Sequence, residues 1–476
     1  MRTDASFGAA PKWMTLLGTS EKGGRDYVPR VEGEIPPGLR GSLYRNGPGL
    51  FERGDFHLRH LLDGDGLVQR LSFSNQGVRY QNAFVRTDKF RDENATGKRL
   101  HATWSTRKPG GFLRNLGGGV DQSQAGITVY PVNGKILARD ETGPTYEIDA
   151  ETLATKGILP VADQSKGIAY KAHSRVDPET GDWLLAGVSY GRISNVYATT
   201  FDSDFKPKSE VAVDARRMIY IHDFIVSKKH FIFVLHPCMF SPLPFLMGLK
   251  SYIDCFSWNP KKGNLIAVLP RAGGEAKYYE APSAYMWHAL NAFERDDELI
   301  ADFVGYDEPD HFFGRDAFMF NIMEGRMGRA QVPGKIRRYV IDLKKGSLRE
   351  EILDHSNHEF PQIDFRRAGV AHQFGYFAYA GLGGFNSGIK RYDYETGKSQ
   401  THDFGEETHV GEPIFAKASG GAIDEGWILC QCVDGKSEKT FFAVFDAQTV
   451  DRGPITKIWL EHHVPISFHG SWHEVT

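Results

Sequence analysis

The sequence predicts an all-β fold, a single β-propeller, on three observations. Glycine is abundant, with 52 residues, and aromatics make up 12% of the chain, a balance that favours strands and turns over helices. Short strand-like segments, several alternating apolar and polar residues, recur from Val31 onward and end in Gly, Asn or Asp, as antiparallel strands entering tight turns do. No Pro/Ser-rich or charge-rich linker interrupts them. At 476 residues the chain is long for one domain, but barrels and propellers run long as single units. Two β-sandwiches in tandem are the alternative, and would show a linker near the middle.

Taken in order, residues 1–30 read as a leader packed on the domain, and 31–476 as one propeller domain. GSLYRNGPG, GLVQRLSFS and KILARDETG read as the first strands, and DWLLAGVSYG, HFIFVL, GNLIAVLP and ELIADFVGY as the next. IRRYVIDLKKG, GYFAYAG, GIKRYDYETGKS, WILCQCVDG and KTFFAVFDAQT complete the run. RYVIDLKKGS and KRYDYETGKS share one order: strand, acidic residue, short turn, strand. That order fits the outer hairpins of propeller blades, although the self-similarity does not fix a period. Residues 236–258 break the pattern, being rich in Phe, Leu, Met and Pro and poor in charge. They read either as a buried loop or helix, or as an exposed apolar patch at a tunnel mouth that docks on membranes or oily substrates.

Charge excludes some partners. The net charge is −3 and the pI near 6.7, with no basic run, so no concentrated basic face for nucleic acid is expected. Cys238, Cys255, Cys430 and Cys432 contain no CxxC pair; so few in a long chain suggest small buried hydrophobes in a reducing compartment. The N-terminus lacks the apolar core of a signal peptide, and no stretch approaches the roughly 18 apolar residues of a membrane span. A cytoplasmic protein is expected, with peripheral membrane contact through 236–258 left open.

The chemistry is carried by histidine. GKS occurs at Gly397–Ser399 and Gly435–Ser437 without the upstream glycine of a phosphate-binding loop, and neither GxSxG nor HExxH is present. Of 18 histidines, His173 (YKAHSRV), His222 (MIYIHDF), His288 (YMWHALN) and His469 (VPISFHG) each sit among apolar or aromatic residues. A lone histidine of this kind is more often a satisfied core residue. Four in similar settings shift the balance toward a metal site, and their separations suit one ligand per blade converging on an axis. The spacing does not identify the metal.

Longer blocks are distinctive. GSLYRNGPGLFERGDFHLRHLLDGDGLV, AHSRVDPETG, IHDFIVS, WHALNAFE, EFPQIDFRRAG, GEPIFAKASGGAIDEGWILC, FDAQT and HHVPISFHGSW resemble the carotenoid cleavage oxygenase family, in family order across almost the whole chain. Within it, LPFLMGL and HHVPISFHGSW look most like the bacterial apocarotenoid oxygenases. The resemblance implies a seven-bladed propeller, with helices and loops capping one face and Fe(II) on the axis. By motif position its ligands would be His173, His222, His288 and His469. Glu141, Glu359 and Glu412 match the glutamates that orient three of the ligands through the other ring nitrogen, and His173 would lack one.

Four neutral imidazoles leave two positions of a six-coordinate iron for other ligands, with O2 as co-substrate, and the implied reaction cleaves a conjugated C=C bond of an apocarotenoid or carotenoid to two carbonyl products. A hydrophobic small-molecule substrate calls for an apolar tunnel, for which the candidates are Trp104, Phe240, Phe245, Trp287, Tyr306 and Phe468.

The family also contains stilbene and phenylpropanoid oxygenases, which read the substrate phenol with a Tyr and with a Lys directly before the first glutamate. Here Asp140 precedes Glu141 and Trp104 falls near the Tyr position, which weakens that alternative. Ala125 aligns with a family Thr, beside a small insertion at Tyr130–Asn133, so access to the metal is expected to differ from that of relatives. A catalytically silent propeller that binds an apolar ligand or a partner protein is the alternative from another class.

Overall fold

A computed structural model of the chain describes residues 10–119, 123–161, 167–191, 194–314, 316–327, 332–380 and 385–474. Seven antiparallel sheets form the blades of a β-propeller. The first blade is built on Gly41–Leu50, Asp65–Ser74 and Gly77–Phe84; the second runs from Thr128–Val132 to Thr155–Leu159, and the third from Ala169–Val176 to Pro207–Asp214. The fourth starts at Ile225–Val226, the fifth at Tyr285–Arg295, the sixth at Asn357–Gln362 and the seventh at Thr408–Val410.

The two chain ends close the ring twice. Arg30–Gly33 pairs with Thr456–Trp459 on the seventh blade, and His469–His473 pairs with Gly41–Leu50 on the first. Strand Arg30–Gly33 therefore runs across the boundary expected between 30 and 31. The preceding helix, Lys12–Leu17, buries Trp13, Met14, Leu16 and Leu17. This stretch is part of the ring and its cap.

Period-two alternation explains the blade cores. In His230–Leu235, Phe231, Phe233 and Leu235 face a cluster shared with the third blade, while Ile232 and Val234 face one shared with the fifth. A strand buried on both faces reads as a continuous apolar run, which is how HFIFVL reads. The recurring acidic turn has an equally local cause. Asp342 Oδ1 accepts the N–H groups of Lys344 and Lys345, and Asp393 Oδ1 those of Glu395 and Thr396. Asp149 and Asp446 close the same turn between third and fourth strands of other blades, and Asp202 closes a longer one through the Asp204 and Lys206 N–H groups. An Asx turn of this kind mimics a backbone turn, and Gly346 and Gly397 supply the left-handed residue at φ 70° and 69°.

The cap grows from insertions in this frame. Residues 236–263 leave the fourth blade between its second and third strands, and 307–333 leave the fifth at the same point. With helices Lys12–Leu17 and Phe318–Met323, they build one aromatic-rich cluster that includes Trp104, Tyr220, Phe256, Trp287 and Phe312. The four cysteines are buried thiols.

Candidate metal centre

Four blades each deliver one histidine. His173 lies on Ala169–Val176, His288 on Tyr285–Arg295, His469 opens His469–His473, and His222 precedes Ile225–Val226. One ring nitrogen from each lies within 4.8 Å of the others, and all four residues are buried. Pairing slips between Tyr170 and Ser174, on either side of Ala289, and between Glu359 and Gln362. Such irregularities re-aim side chains next to functional sites. Phe360, at φ 53°, turns the chain in the last of these and sets its ring 5.3 Å from His288 and 5.5 Å from His469.

The remaining blades back the cluster with carboxylates. His288 Nδ1 meets Glu359 Oε2 at 2.5 Å, and His469 Nδ1 meets Glu412 Oε1 at 2.9 Å. His222 Nδ1 lies 2.7 Å from Glu141 Oε2, at an angle off the straight hydrogen-bond axis. Each predicted glutamate thus stands against a different histidine. His173 has none: its Nδ1 lies 3.3 Å from the Tyr130 hydroxyl.

Burial pulls His173 and His469 well below the ordinary imidazole range, and the neighbouring histidines add to it. Burial acts on His288 in the same direction, but Glu359 outweighs it and raises that group. Burial also pushes Glu412 up to about 7, with Arg45 and the Gly470 N–H pulling the other way.

These residues fit a metal ion. A carboxylate at Nδ1 fixes the proton there and leaves the Nε2 lone pair to a ligand. His288 Nε2 is buried with no hydrogen-bond partner among the described residues, an expensive state for a polar atom that coordination would relieve.

Several supporting residues escaped the reading of single motifs. Arg45, 1% exposed, donates to Glu412 Oε2 at 2.8 Å, to Ser467 Oγ at 3.0 Å and to the Ser467 and Phe468 carbonyls. It ties Glu412 to the strand bearing His469. Gln362 Nε2 donates to Glu412 Oε1 at 2.9 Å. Asp223, next to His222, accepts from the Arg175 guanidinium on both carboxylate oxygens and from the Ala289 N–H on Oδ2. It links the segments carrying His173, His222 and His288. For Asp223 the signal in the sequence was a charge among apolar residues in IYIHDFIV, and Arg45 and Gln362 carried none.

Two cavities flank the cluster. On the capped side, a cavity of about 120 Å³ is lined by Ile127, Trp287, Tyr306, Phe318, Phe385 and Phe468, with His222, His288 and His469 at its wall. On the opposite side, one of about 380 Å³ is lined by Tyr130, Arg175, Asp223 and Arg271 beside His173.

Trp287, Tyr306 and Phe468 therefore line the capped cavity, and the other tunnel candidates are placed elsewhere. Trp104 packs among Tyr220, Tyr252 and Phe312 in the cap. Phe240 and Phe245 pack on one another and on Tyr252. Ala125, buried at φ 50°, turns the chain so that Ile127 is the residue of its loop that faces the cavity. Tyr130 stands on the regular strand Thr128–Val132, with the hairpin turning at Asn133. Asp140 accepts the Glu141 N–H in its own loop and the Gln124 N–H of the loop that precedes Thr128–Val132.

Comparison with known proteins bears on this geometry. A family profile described as retinal pigment epithelial membrane protein matches residues 19–474. The chain is 29% identical over 459 residues to apocarotenoid-15,15'-oxygenase of Synechocystis, covering 94% of this chain and 93% of that one. It is 27% identical to isoeugenol monooxygenase of Pseudomonas putida, covering 93% of each. A solved structure of a Synechocystis apocarotenoid oxygenase variant superposes with a TM-score of 0.90 at 28% identity, covering 99% of this chain and all of that one.

Proposed function

The chain belongs to the retinal pigment epithelial membrane protein family, that of the carotenoid cleavage oxygenases, and from this premise we propose that it is an Fe(II)-dependent oxygenase of apocarotenoids or carotenoids. The reaction is scission of one conjugated C=C bond by O2, the two carbon ends each taking one oxygen to give two carbonyl products. The observation that carries this reading is the buried four-imidazole cluster with an aromatic cavity against it.

His173, His222, His288 and His469 would hold the ion. Fe(II) supplies one-electron redox chemistry with O2, which Zn(II) lacks. The protein's own part is positional. Glu141, Glu359 and Glu412 hold the proton of their histidines at Nδ1, and Trp287, Tyr306 and Phe468 present an apolar wall that selects a conjugated hydrocarbon and keeps water out. Reconstitution with Fe(II) under anaerobic conditions, followed by an apocarotenal in air, should bleach the polyene absorbance and yield two carbonyl fragments. Failure to take up iron would overturn the reading.

A second reading, a phenylpropenoid substrate, is supported by the size of the cavity. Pockets for drug-sized ligands run to about 300–1,000 Å³, whereas about 120 Å³ encloses a single-ring alkene whole but only one end of a polyene. Against it, neither Asp140 nor Trp104 faces this cavity, so the phenol-reading positions of stilbene-cleaving relatives have no counterpart there. A hydroxylated alkenylbenzene in the same assay separates the two.

We also propose that the protein docks on anionic membrane surfaces. No helix among the described residues is long and apolar enough to cross a bilayer. Leu243, Leu246, Met247 and Leu249 are exposed beside Leu113 and Leu116, the two segments being joined by the Gly117 N–H on the Leu246 carbonyl. An adjoining groove carries Arg59, Arg99, Arg107 and Lys250. Apolar insertion beside cationic groups is how peripheral proteins hold anionic lipid. Replacing Phe245 and Leu246 by Ser should lower co-sedimentation with anionic liposomes and leave iron content unchanged; undiminished binding would place the contact elsewhere.

A further inference from the structure

Of the polar side chains that line the capped cavity outside the metal centre, His409 is the imidazole with both ring nitrogens unpartnered among the described residues. His409, on Thr408–Val410, is 5% exposed, and neither ring nitrogen has a hydrogen-bond partner among the described residues. It lines the same cavity as His288 and His469. Its ring is stacked on the Trp13 indole, with centroids 5.3 Å apart and planes 17° from parallel. Trp13 is fixed in turn by its Nε1–H on the Glu406 carbonyl and by edge contact with Phe385. The imidazole is therefore held against Trp13 by one face while its polar edge is left without a partner. A buried polar group in that state is costly unless something satisfies it.

The surroundings narrow what that something is. No Lys or Arg is among the residues lining the cavity, so nothing there neutralises a carboxylate. His311 accepts the Trp287 indole N–H at Nε2 and has Asp310 3.8 Å from its Nδ1, and Glu359 meets His288 through Oε2, so the charged groups of the lining are carboxylates that repel an anion. Burial with no charged neighbour brings His409 down to about 4, so it is neutral and offers one N–H donor and one lone pair. Such a group matches a hydroxyl, which donates and accepts, or a carbonyl, which accepts.

His409 precedes Glu412 by three residues, so their Cα atoms lie within roughly 11 Å. The Glu412 carboxylate touches His469, which puts the recognised end of the substrate near the reacting centre.

We propose that His409 is the specificity-determining residue that recognises an uncharged oxygen function, a hydroxyl or carbonyl, at one end of the conjugated substrate. This rests on the oxygenase reading above and sharpens it. A substrate gripped at one end presents a defined double bond to the metal centre, and an acid of the same length is refused because its charge would be buried without a partner.

The test compares a C20 polyene alcohol, its carboxylic acid and the hydrocarbon lacking the oxygen, by quenching of tryptophan fluorescence in the iron-loaded protein. The alcohol should bind about tenfold more tightly than the hydrocarbon, the scale of one buried hydrogen bond, and the acid more weakly than the alcohol. His409→Phe, which keeps the stack on Trp13, should bring the alcohol-to-hydrocarbon ratio close to one with iron content unchanged, and His409→Gln should restore part of it. Equal binding of all three ligands by the unsubstituted protein would overturn the proposal, as would an unaltered ratio in both variants. If the binding preference is present but no ligand is cleaved, the oxygenase reading fails and the recognition role stands. Cleavage without end-group preference has the reverse meaning.

Discussion

Three of the four clustered histidines rest on carboxylates, whereas His173 rests on a phenol. The difference follows from what each blade can place behind the ring. Glu412 is held by Arg45, Gln362 and the Gly470 N–H as well as by His469, so its ring partner is fixed from four directions. Tyr130 offers His173 one neutral contact at 3.3 Å, long for a hydrogen bond. The supported rings all border the capped cavity; His173 borders only the opposite one, which His288 and His469 also reach. Every clustered ring that borders the aromatic wall is thus one held by a carboxylate, and the ring without one is the ring that does not reach that wall.

The bluntest way to break this asymmetry is to remove a supported ring. His288→Ala should abolish iron binding and activity, measured by metal analysis and turnover. It also strands the Glu359 carboxylate in the interior, a loss of about 3–5 kcal/mol when a buried pair is broken, though the circular dichroism of the propeller should persist. Retention of stoichiometric iron would remove His288 from the ligand set. A smaller effect is expected from Glu412→Gln, which keeps the shape but loses the charge facing Arg45 and His469. Activity or metal affinity should fall about 10–100-fold, the usual range for groups that orient a ligand.

How much of this was legible in the sequence depended on whether the cause was local. The blades were, because HFIFVL alternates between two interblade cores and because the Asp-led turns after Ile341 and Tyr392 are closed within a few residues. The four histidines and three glutamates could be named from their motifs, but which glutamate meets which histidine is set by ring closure and is visible only in three dimensions. Arg45 lay inside GSLYRNGPG with nothing to distinguish it from a solvent-facing strand residue, because its partners come from the seventh blade and from the segment that closes the first blade. The tunnel candidates divided for the same reason. Trp287 and Phe468 immediately precede His288 and His469, one where the pairing of Tyr285–Arg295 slips and the other just before His469–His473 begins, so each reaches the cavity that its histidine borders, whereas Trp104, Phe240 and Phe245 belong to loops whose packing has no periodicity to read. The pairing of Arg30–Gly33 with Thr456–Trp459 spans the expected boundary at residue 30 and joins residues more than 400 apart, which no local pattern encodes.

The finest division of the asymmetry comes from Tyr130→Phe. A lone pair at His173 Nε2 requires the proton at Nδ1, and that N–H then donates to the Tyr130 oxygen. Burial pushes the phenol well up, so it stays neutral and contributes no charge to the ring. Its removal forfeits one weak neutral hydrogen bond, about 0.5–1.5 kcal/mol, while Phe preserves the packing. Iron should be retained, and turnover should fall by no more than about tenfold, the rate equivalent of the upper end of that range. The comparison with Glu412→Gln, made on the same preparation with metal content and turnover measured together, decides the matter. If Tyr130→Phe lost as much iron as Glu412→Gln, the phenol would be holding His173 as firmly as a carboxylate holds the others, and the asymmetry would be one of chemistry without consequence for strength.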